Sequence, residues 1–118
     1  MNDSFMPLFR NVKNAVKFPA GATIFNEGDM GDVAYVVLEG ELEVLLHGVH
    51  LDYAGQGSIV GEMALIDNLP RSGTVTAKTD VILAPIMQKE FTFMIQETPY
   101  FALHVMHIMA NRLRKQHT

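Results

Sequence analysis

The sequence contains no cysteine, and its 118 residues carry only 9 lysines and arginines against 13 acidic residues. Without cysteine, neither a disulfide scaffold nor a thiolate metal site is possible. The first residues lack a basic-then-apolar leader, and no apolar run approaches the roughly 20 residues that cross a bilayer. We therefore expect a cytoplasmic protein without a membrane partner. The net charge of −4 argues against a nucleic-acid partner, since such surfaces are basic.

The composition predicts a single folded domain that spans residues 1–118. Hydrophobic residues make up 48% of the chain and charged residues 19%, which excludes a disordered chain. A chain of this length buries roughly 65% of the surface that it exposes when unfolded. It is therefore long enough for one core.

Glycine is absent from the last third of the chain, because all 9 glycines lie at or before Gly73. Before that point, glycine turn signals recur at the spacing of short antiparallel strands. Leu42 and Val44 alternate with acidic neighbours, as in a strand with one buried face. We predict a mainly β fold, an eight-stranded antiparallel jelly roll over about residues 14–87, preceded by a short N-terminal helix. The predicted strands are 14–18, 22–25, 33–39, 41–46, 49–53, 58–60, 72–79 and 81–87.

The C-terminal thirty residues are predicted to form two helices, at about Gln88–Glu97 and Tyr100–Gln116, separated at Pro99. The second helix has a polar face and two apolar rows. The polar face is His104, His107, Asn111 and Arg114; the rows are Phe101, Val105 and Ile108, and Ala102, Met106, Met109 and Leu113. Two rows indicate either one wide core face or a second face for a partner helix. The basic residues Arg112, Arg114 and Lys115 are explained by compensation of the helix dipole.

Positive charge is missing from the middle of the chain. Between Lys17 and Arg71 there is no lysine or arginine, while the same span carries nine acidic residues. We therefore interpret Arg71 as a cation positioned to meet one anion, with the Ser72 hydroxyl as a further donor. A short helical turn at Glu62–Ile66 would add unpaired backbone N–H groups. A phosphate would repel the Glu62 carboxylate unless that carboxylate bound another part of the ligand. Accepting a hydrogen bond from a ribose hydroxyl is such a role.

These residues resemble the phosphate-binding cassette of cyclic nucleotide-binding domains, which occur in the catabolite activator protein, cAMP-dependent kinase regulatory subunits and cyclic nucleotide-regulated channels. The resemblance covers about residues 8–113. It implies that Glu62 holds the ribose 2′-hydroxyl, while Arg71, Ser72 and the backbone near Ala64 hold the cyclic phosphate. The ligand-binding residues it implies are Gly61, Glu62, Met63, Ala64, Leu65, Arg71, Ser72 and Gly73. The sequence departs from the family pattern at Val60, where an aromatic is frequent, and at Gly73, where alanine is usual.

The resemblance implies a stand-alone sensor that binds cAMP in preference to cGMP, performs no chemistry and has no catalytic residues, metal or further cofactor. Few residues follow the second helix, so we expect the output to pass to a separate effector protein or to a homodimer through Tyr100–Gln116. One alternative is a jelly roll that has lost its ligand, in which Glu62 and Arg71 simply pair with each other. The other is a cupin-type metal enzyme, which would need an inward-facing cluster of histidines.

Overall fold

The computed structural model describes residues 13–116, and the predicted N-terminal helix lies outside them. Within this range, eight strands and three helices follow one another. The strands are β1 (Val16–Phe18), β2 (Thr23–Phe25), β3 (Val33–Glu39), β4 (Leu42–Leu46), β5 (Val49–Ala54), β6 (Ile59–Val60), β7 (Thr74–Ala77) and β8 (Val81–Met87). The helices are α1 (Met63–Asp67), α2 (Gln88–Glu97) and α3 (Pro99–Gln116). The predicted mainly β architecture is confirmed.

The strands form two four-stranded antiparallel sheets, in the orders β1-β8-β3-β6 and β2-β7-β4-β5. Eight strands in two unclosed sheets are consistent with the predicted jelly roll. Strand β6 belongs to the first sheet and β7 to the second, so the chain between them passes from one sheet to the other. That crossing segment, residues 61–73, contains every residue that the sequence assigned to the ligand. We call it the cassette.

The core has two parts, which lie on opposite faces of the first sheet. Ala34 and Val36 of β3 pack with the helices, in a cluster that includes Phe91 and Phe101. Val37 of β3 belongs to the cluster between the two sheets. Because successive strand residues point to opposite faces, β3 and β8 are buried on both sides and read as nearly continuous apolar runs. The first sheet is therefore the middle layer between the second sheet and the helices.

The buried face of α3 is wider than the sequence indicated. His104, assigned to the polar face, is 9% exposed, and its Nε2 lies 2.8 Å from the carbonyl oxygen of Gly57. Phe101 and Val105 are buried as predicted, with the Phe101 ring edge-on to Phe91 at 5.9 Å. The predicted polar face is therefore wrong at His104, whereas its other three members, His107, Asn111 and Arg114, are exposed as predicted. The buried face extends beyond the apolar row to include His104, whose ring contacts a backbone carbonyl.

None of the helices within residues 13–116 is both long enough and apolar enough to span a bilayer.

Candidate functional site

The cassette is a turn, a short helix and an extended segment. Gly61 has φ +78°, a left-handed backbone conformation that other residues rarely adopt, and it redirects the chain directly after β6. Helix α1 then runs for five residues and ends at Asn68, whose left-handed conformation reverses the chain. The extended part returns to the second sheet, where the main chain of Arg71 pairs with that of Gly28 and Asp29. Glu62 and Arg71 thus reach the same side of the fold.

Arg71 is a buried cation held by backbone oxygens. It is 8% exposed, and its guanidinium donates to the Val33 carbonyl at 2.8 Å and to the Gly61 carbonyl at 3.2 Å. The face of the guanidinium lies 4.1 Å from the centroid of the Phe25 ring. Its Nε is buried and has no hydrogen-bond partner among the residues described. Burial lowers the pKa of Arg71, because the desolvated charge is only partly compensated.

Two glycines make room for this guanidinium. A Cβ atom on Gly31 would lie no more than 2.6 Å from three of its atoms. A Cβ on Gly61 would lie 2.6 Å from Nη1. Since both distances are below any ordinary contact, a side chain at either position would have to displace Arg71. The fork is therefore fixed in advance by the backbone on both sides of it.

Glu62 is a buried carboxylate with a different partner from the one that the ligand-free alternative assigned to it. It is 4% exposed, and its Oε1 lies 3.4 Å from Nη1 of Arg112 on α3. Within residues 13–116 no ion pair joins Glu62 to Arg71, so the postulated Glu62–Arg71 salt bridge is wrong. Burial raises the pKa of Glu62, and the charges of Arg112 and Arg71 only partly oppose this rise.

Arg112 is the site residue that sequence reasoning missed. It is 9% exposed and contacts Asp52 as well as Glu62, each at 3.4 Å. Dipole compensation at the end of α3 does not explain a buried guanidinium between two carboxylates, so that interpretation is wrong for Arg112. The available signal was its spacing of four and seven residues from Ile108 and Val105, which places it on their face of the helix.

The smaller polar groups of the cassette are partly engaged. The Ala64 N–H donates to the Gly61 carbonyl at 3.3 Å and the Leu65 N–H to the Glu62 carbonyl at 3.0 Å. The expectation that the turn leaves these two N–H groups unpaired is therefore wrong. Among the described residues, the exposed Ser72 hydroxyl contacts a weak acceptor, the Met63 sulfur at 3.8 Å. It can turn to a stronger acceptor at little cost.

Gly73 departs from the family pattern for a steric reason. A Cβ atom there would lie 2.7 Å from the carbonyl oxygen of Leu45 on β4. Because that contact is to backbone, alanine at this position would require the cassette or β4 to shift. Close packing of the two segments explains the glycine.

A cavity of about 450 Å³ joins these groups, which is within the usual range of about 300–1,000 Å³ for small-molecule sites. Its walls come from β2, β4, β5, β6, β7, the cassette and the last two turns of α3. The lining residues are Phe25, Val44, Leu45, Leu46, Leu51, Val60, Gly61, Glu62, Met63, Ala64, Pro70, Arg71, Ser72, Gly73, Val75, Met109, Ala110, Arg112, Leu113 and Gln116. The predicted ligand residues therefore meet in one place, except Leu65 of α1, whose side chain is buried in the core.

The cupin-type alternative would need histidines clustered around a metal ion. His47 instead contacts Glu27 at 2.9 Å, and His50 contacts Glu43 at 2.8 Å. In the part of the chain that the structure describes, no three histidine or acidic side chains lie close enough together to hold a metal ion.

Comparison with known families identifies the domain. The family model described as a cyclic nucleotide-binding domain matches residues 15–98, which include the whole cassette. The chain belongs to the cyclic nucleotide-binding domain family. A cAMP-dependent protein kinase regulatory subunit of Aspergillus niger is 40% identical over 80 residues, or 66% of this chain and 20% of the relative. This cyclic nucleotide-binding domain spans about a fifth of the length of the curated relatives that it matches.

Solved structures resemble this cyclic nucleotide-binding domain in fold and in sequence. The EAL enzyme Bd1971 in its cGMP-bound form is 34% identical with a TM-score of 0.68, covering 87% of this chain and 29% of that one. The cAMP-bound form of the same enzyme has a TM-score of 0.66. The catabolite activator protein of Thermus thermophilus is 28% identical with a TM-score of 0.71, covering 93% of this chain and 59% of that one.

Proposed function

We propose that this domain binds a cyclic nucleotide, cAMP in preference to cGMP, and that it regulates an effector without performing chemistry. The observation that carries the proposal is Arg71, a buried and pre-positioned guanidinium on the wall of a cavity of suitable size, with no carboxylate partner among residues 13–116. A desolvated cation of this kind is stabilised when an anion enters. The preference for cAMP is supported by three curated relatives that are named as cAMP-dependent protein kinase regulatory subunits.

The phosphate half of the site is Arg71 with Ser72 and the backbone at Ala64. Arg71 presents a planar fork, and only two of its five N–H donors are engaged by Val33 and Gly61. The Ser72 hydroxyl would exchange its contact with the Met63 sulfur for a hydrogen bond to a charged phosphate oxygen. The Ala64 N–H makes a long hydrogen bond to Gly61, and it can be shared with a second acceptor. Together these groups supply charge and directional donors to one phosphate.

The ribose half is Glu62, a buried acceptor next to the phosphate donors. A ribose hydroxyl that donates to this carboxylate would satisfy an oxygen that the distant Arg112 contact at 3.4 Å serves weakly. A 2′-deoxy analogue of cAMP should then bind about 1–3 kcal/mol more weakly, because the buried acceptor is left unmatched. If calorimetry gave equal affinities for cAMP and its 2′-deoxy analogue, Glu62 would not be a ribose ligand.

The base would occupy the apolar part of the cavity. Leu45, Leu46 and Leu51 line the cavity together with Met109 and Leu113 of α3. Apolar side chains suit a purine face, and methionine adapts its shape to an aromatic ring. Because two of these residues belong to α3, a bound base would favour the position of α3 seen here.

Calorimetry with cAMP, cGMP and 5′-AMP tests the proposal. We expect cAMP to bind most tightly and 5′-AMP, whose phosphate is not cyclic, to bind more weakly than either cyclic nucleotide. At a hundred times its dissociation constant, cAMP should add about 2.7 kcal/mol to the free energy of unfolding. No heat and no thermal shift with either cyclic nucleotide at millimolar concentration would instead support the alternative that the pocket has lost its ligand. The cupin-type alternative has no supporting observation among residues 13–116.

We also propose that the chain forms a homodimer through α3. Leu103, Met106, Ala110 and Leu113 follow the three-four spacing of a helix–helix seam. Leu103, Met106 and Leu113 are each at least 54% exposed, although they are apolar. Sedimentation should therefore give twice the monomer mass, and Met106→Lys should return it to the monomer mass. A monomer at tens of micromolar wild-type protein would contradict the dimer. The predictions of a cytoplasmic, stand-alone, single-domain sensor remain predictions.

A further inference from the structure

Asp52 on β5 contacts the end of α3. The proposed roles of the ligand-binding residues do not account for this contact. Its side chain is 17% exposed, and both of its oxygens have cationic partners. Oδ1 accepts from Lys115 Nζ, and Oδ2 lies 3.4 Å from Nε of Arg112. One carboxylate on the edge strand of the second sheet is therefore tied to two positions of one helix turn.

The tied part of α3 is the part that closes the cavity. The residues of α3 on the cavity wall lie between Met109 and Gln116, and both partners of Asp52 fall within that stretch. Asp52 itself does not line the cavity. Any influence that it has on a bound ligand must therefore act through the position of α3.

The charges near Arg112 indicate when the Asp52–Arg112 contact matters most for stability. Arg112 is shared between Asp52 and Glu62, and its Nη2 also lies 3.5 Å from the Ser58 hydroxyl. If Glu62 turns to a ribose hydroxyl, a buried guanidinium loses part of its compensation, which is costly unless a second carboxylate remains. Asp52 is that carboxylate.

We propose that Asp52 is a positioning residue that latches the last turns of α3 over the cavity and keeps Arg112 compensated while Glu62 binds the ligand. This inference rests on the proposed function for its ligand-binding consequence, but not for the latch itself. Without Asp52 the wall formed by Met109 and Leu113 opens more often, and a bound nucleotide escapes faster.

The latch is tested without ligand by amide hydrogen exchange in Asp52→Asn. The amides of residues 109–113 should exchange about tenfold faster than in wild type, a modest effect because Arg112 keeps Glu62 as a partner. Glu43→Gln is the matched control, because Glu43 lies on the neighbouring strand and pairs with His50 rather than with α3. Unchanged exchange in Asp52→Asn would overturn the latch whether or not the protein binds nucleotide.

Ligand release is tested by stopped flow with a fluorescent cAMP analogue. Asp52→Asn should raise the dissociation rate about tenfold and change the association rate little, since most affinity differences appear in dissociation. Faster exchange with an unchanged dissociation rate would overturn the positioning role. If wild type bound no nucleotide, the proposed function would fail, and the exchange experiment would still decide the latch.

Lys115→Met supplies a second variant if Asp52→Asn does not fold. It removes one end of the latch but leaves the buried Arg112 in place, so both effects should keep their direction and be smaller. Because Lys115 is half exposed, high salt should accelerate exchange at residues 109–113 in wild type and much less in Lys115→Met. Equal salt dependence in the two proteins would contradict the Lys115 contact.

Discussion

Two buried arginines line the same cavity and are compensated in different ways. Arg112, on α3, lies between the carboxylates of Asp52 and Glu62. Arg71, in the cassette, contacts two carbonyl oxygens and an aromatic face, and none of the ion pairs among residues 13–116 includes it. A buried cation with carboxylates supports the fold, whereas a buried cation without one is suited to an incoming anion. At nearly equal burial, Arg112 has the partners of a structural charge, and Arg71 has those of the charge that we propose binds the ligand.

The largest effect is expected from Arg112→Ala. Removing this guanidinium leaves two carboxylates without their partner, so the free energy of unfolding at neutral pH should fall by about 3–5 kcal/mol. Urea denaturation monitored by circular dichroism measures the change. Arg114→Ala, an exposed arginine two residues away, is the control and should alter stability by less than about 0.5 kcal/mol. Equal stabilities of the two variants would contradict the structural role of Arg112.

Arg71→Ala should show the reverse pattern. We expect cAMP binding to weaken by about 2–5 kcal/mol, because the phosphate loses its paired charge. The unfolding free energy of the ligand-free protein should change by less than about 1 kcal/mol, since two hydrogen bonds are lost while an uncompensated charge is also removed. Calorimetry and urea denaturation give the two numbers. Normal cAMP affinity in this variant would place the phosphate elsewhere.

Gly31→Ala tests whether Arg71 is held in advance by the backbone. The added methyl group overlaps the guanidinium, so we expect a loss of about 1–3 kcal/mol in stability and weaker cAMP binding. Gly55→Ala is the matched control, because a Cβ at Gly55 meets nothing within 4 Å. In the Arg71→Ala background the effect of Gly31→Ala on binding should vanish. An effect that persisted there would show that Gly31 acts through something other than Arg71.

The smallest expected effect is a pH dependence from Glu62. Burial raises the pKa of this carboxyl above its ordinary value of 4.5, so the folded protein binds the proton more tightly than the unfolded chain does. The stability contributed by this group therefore falls as pH rises from about 4.5 through the raised pKa, by at most about 1.4 kcal/mol per pH unit. Glu62→Gln lacks this slope, so its stability relative to wild type should increase across that window. A constant difference from pH 4 to 8 would contradict the raised pKa.

The strands were predictable because their signals are local. The strand β3 was predicted at the residues where it is found, 33–39, and β8 likewise at 81–87, since both are runs of apolar residues between turn signals. Strand β7 was predicted at 72–79 and spans Thr74–Ala77, because its ends are drawn into the cassette and the turn before β8. The cassette was predictable for the same reason, because its residues are close together in the sequence.

Two of the misassigned residues lie on α3. His104 was placed on a polar face and Arg112 among dipole-compensating residues, yet both are buried against parts of the chain 47 to 60 residues away. Helical periodicity states which residues share a face, but the surface that each face meets depends on how the helix packs. A polar residue can be buried wherever that surface supplies its partner.

The sequence by itself determined the fold class, the family and the two residues proposed to hold phosphate and ribose, because strand patterns, turn glycines and the cassette each act over a few neighbouring residues. Only the tertiary structure decided which charges meet. Glu62 pairs with Arg112 rather than Arg71, and Asp52 ties α3 to the cavity, because ion pairs depend on distances between side chains that the chain brings together only when both sheets and α3 are packed.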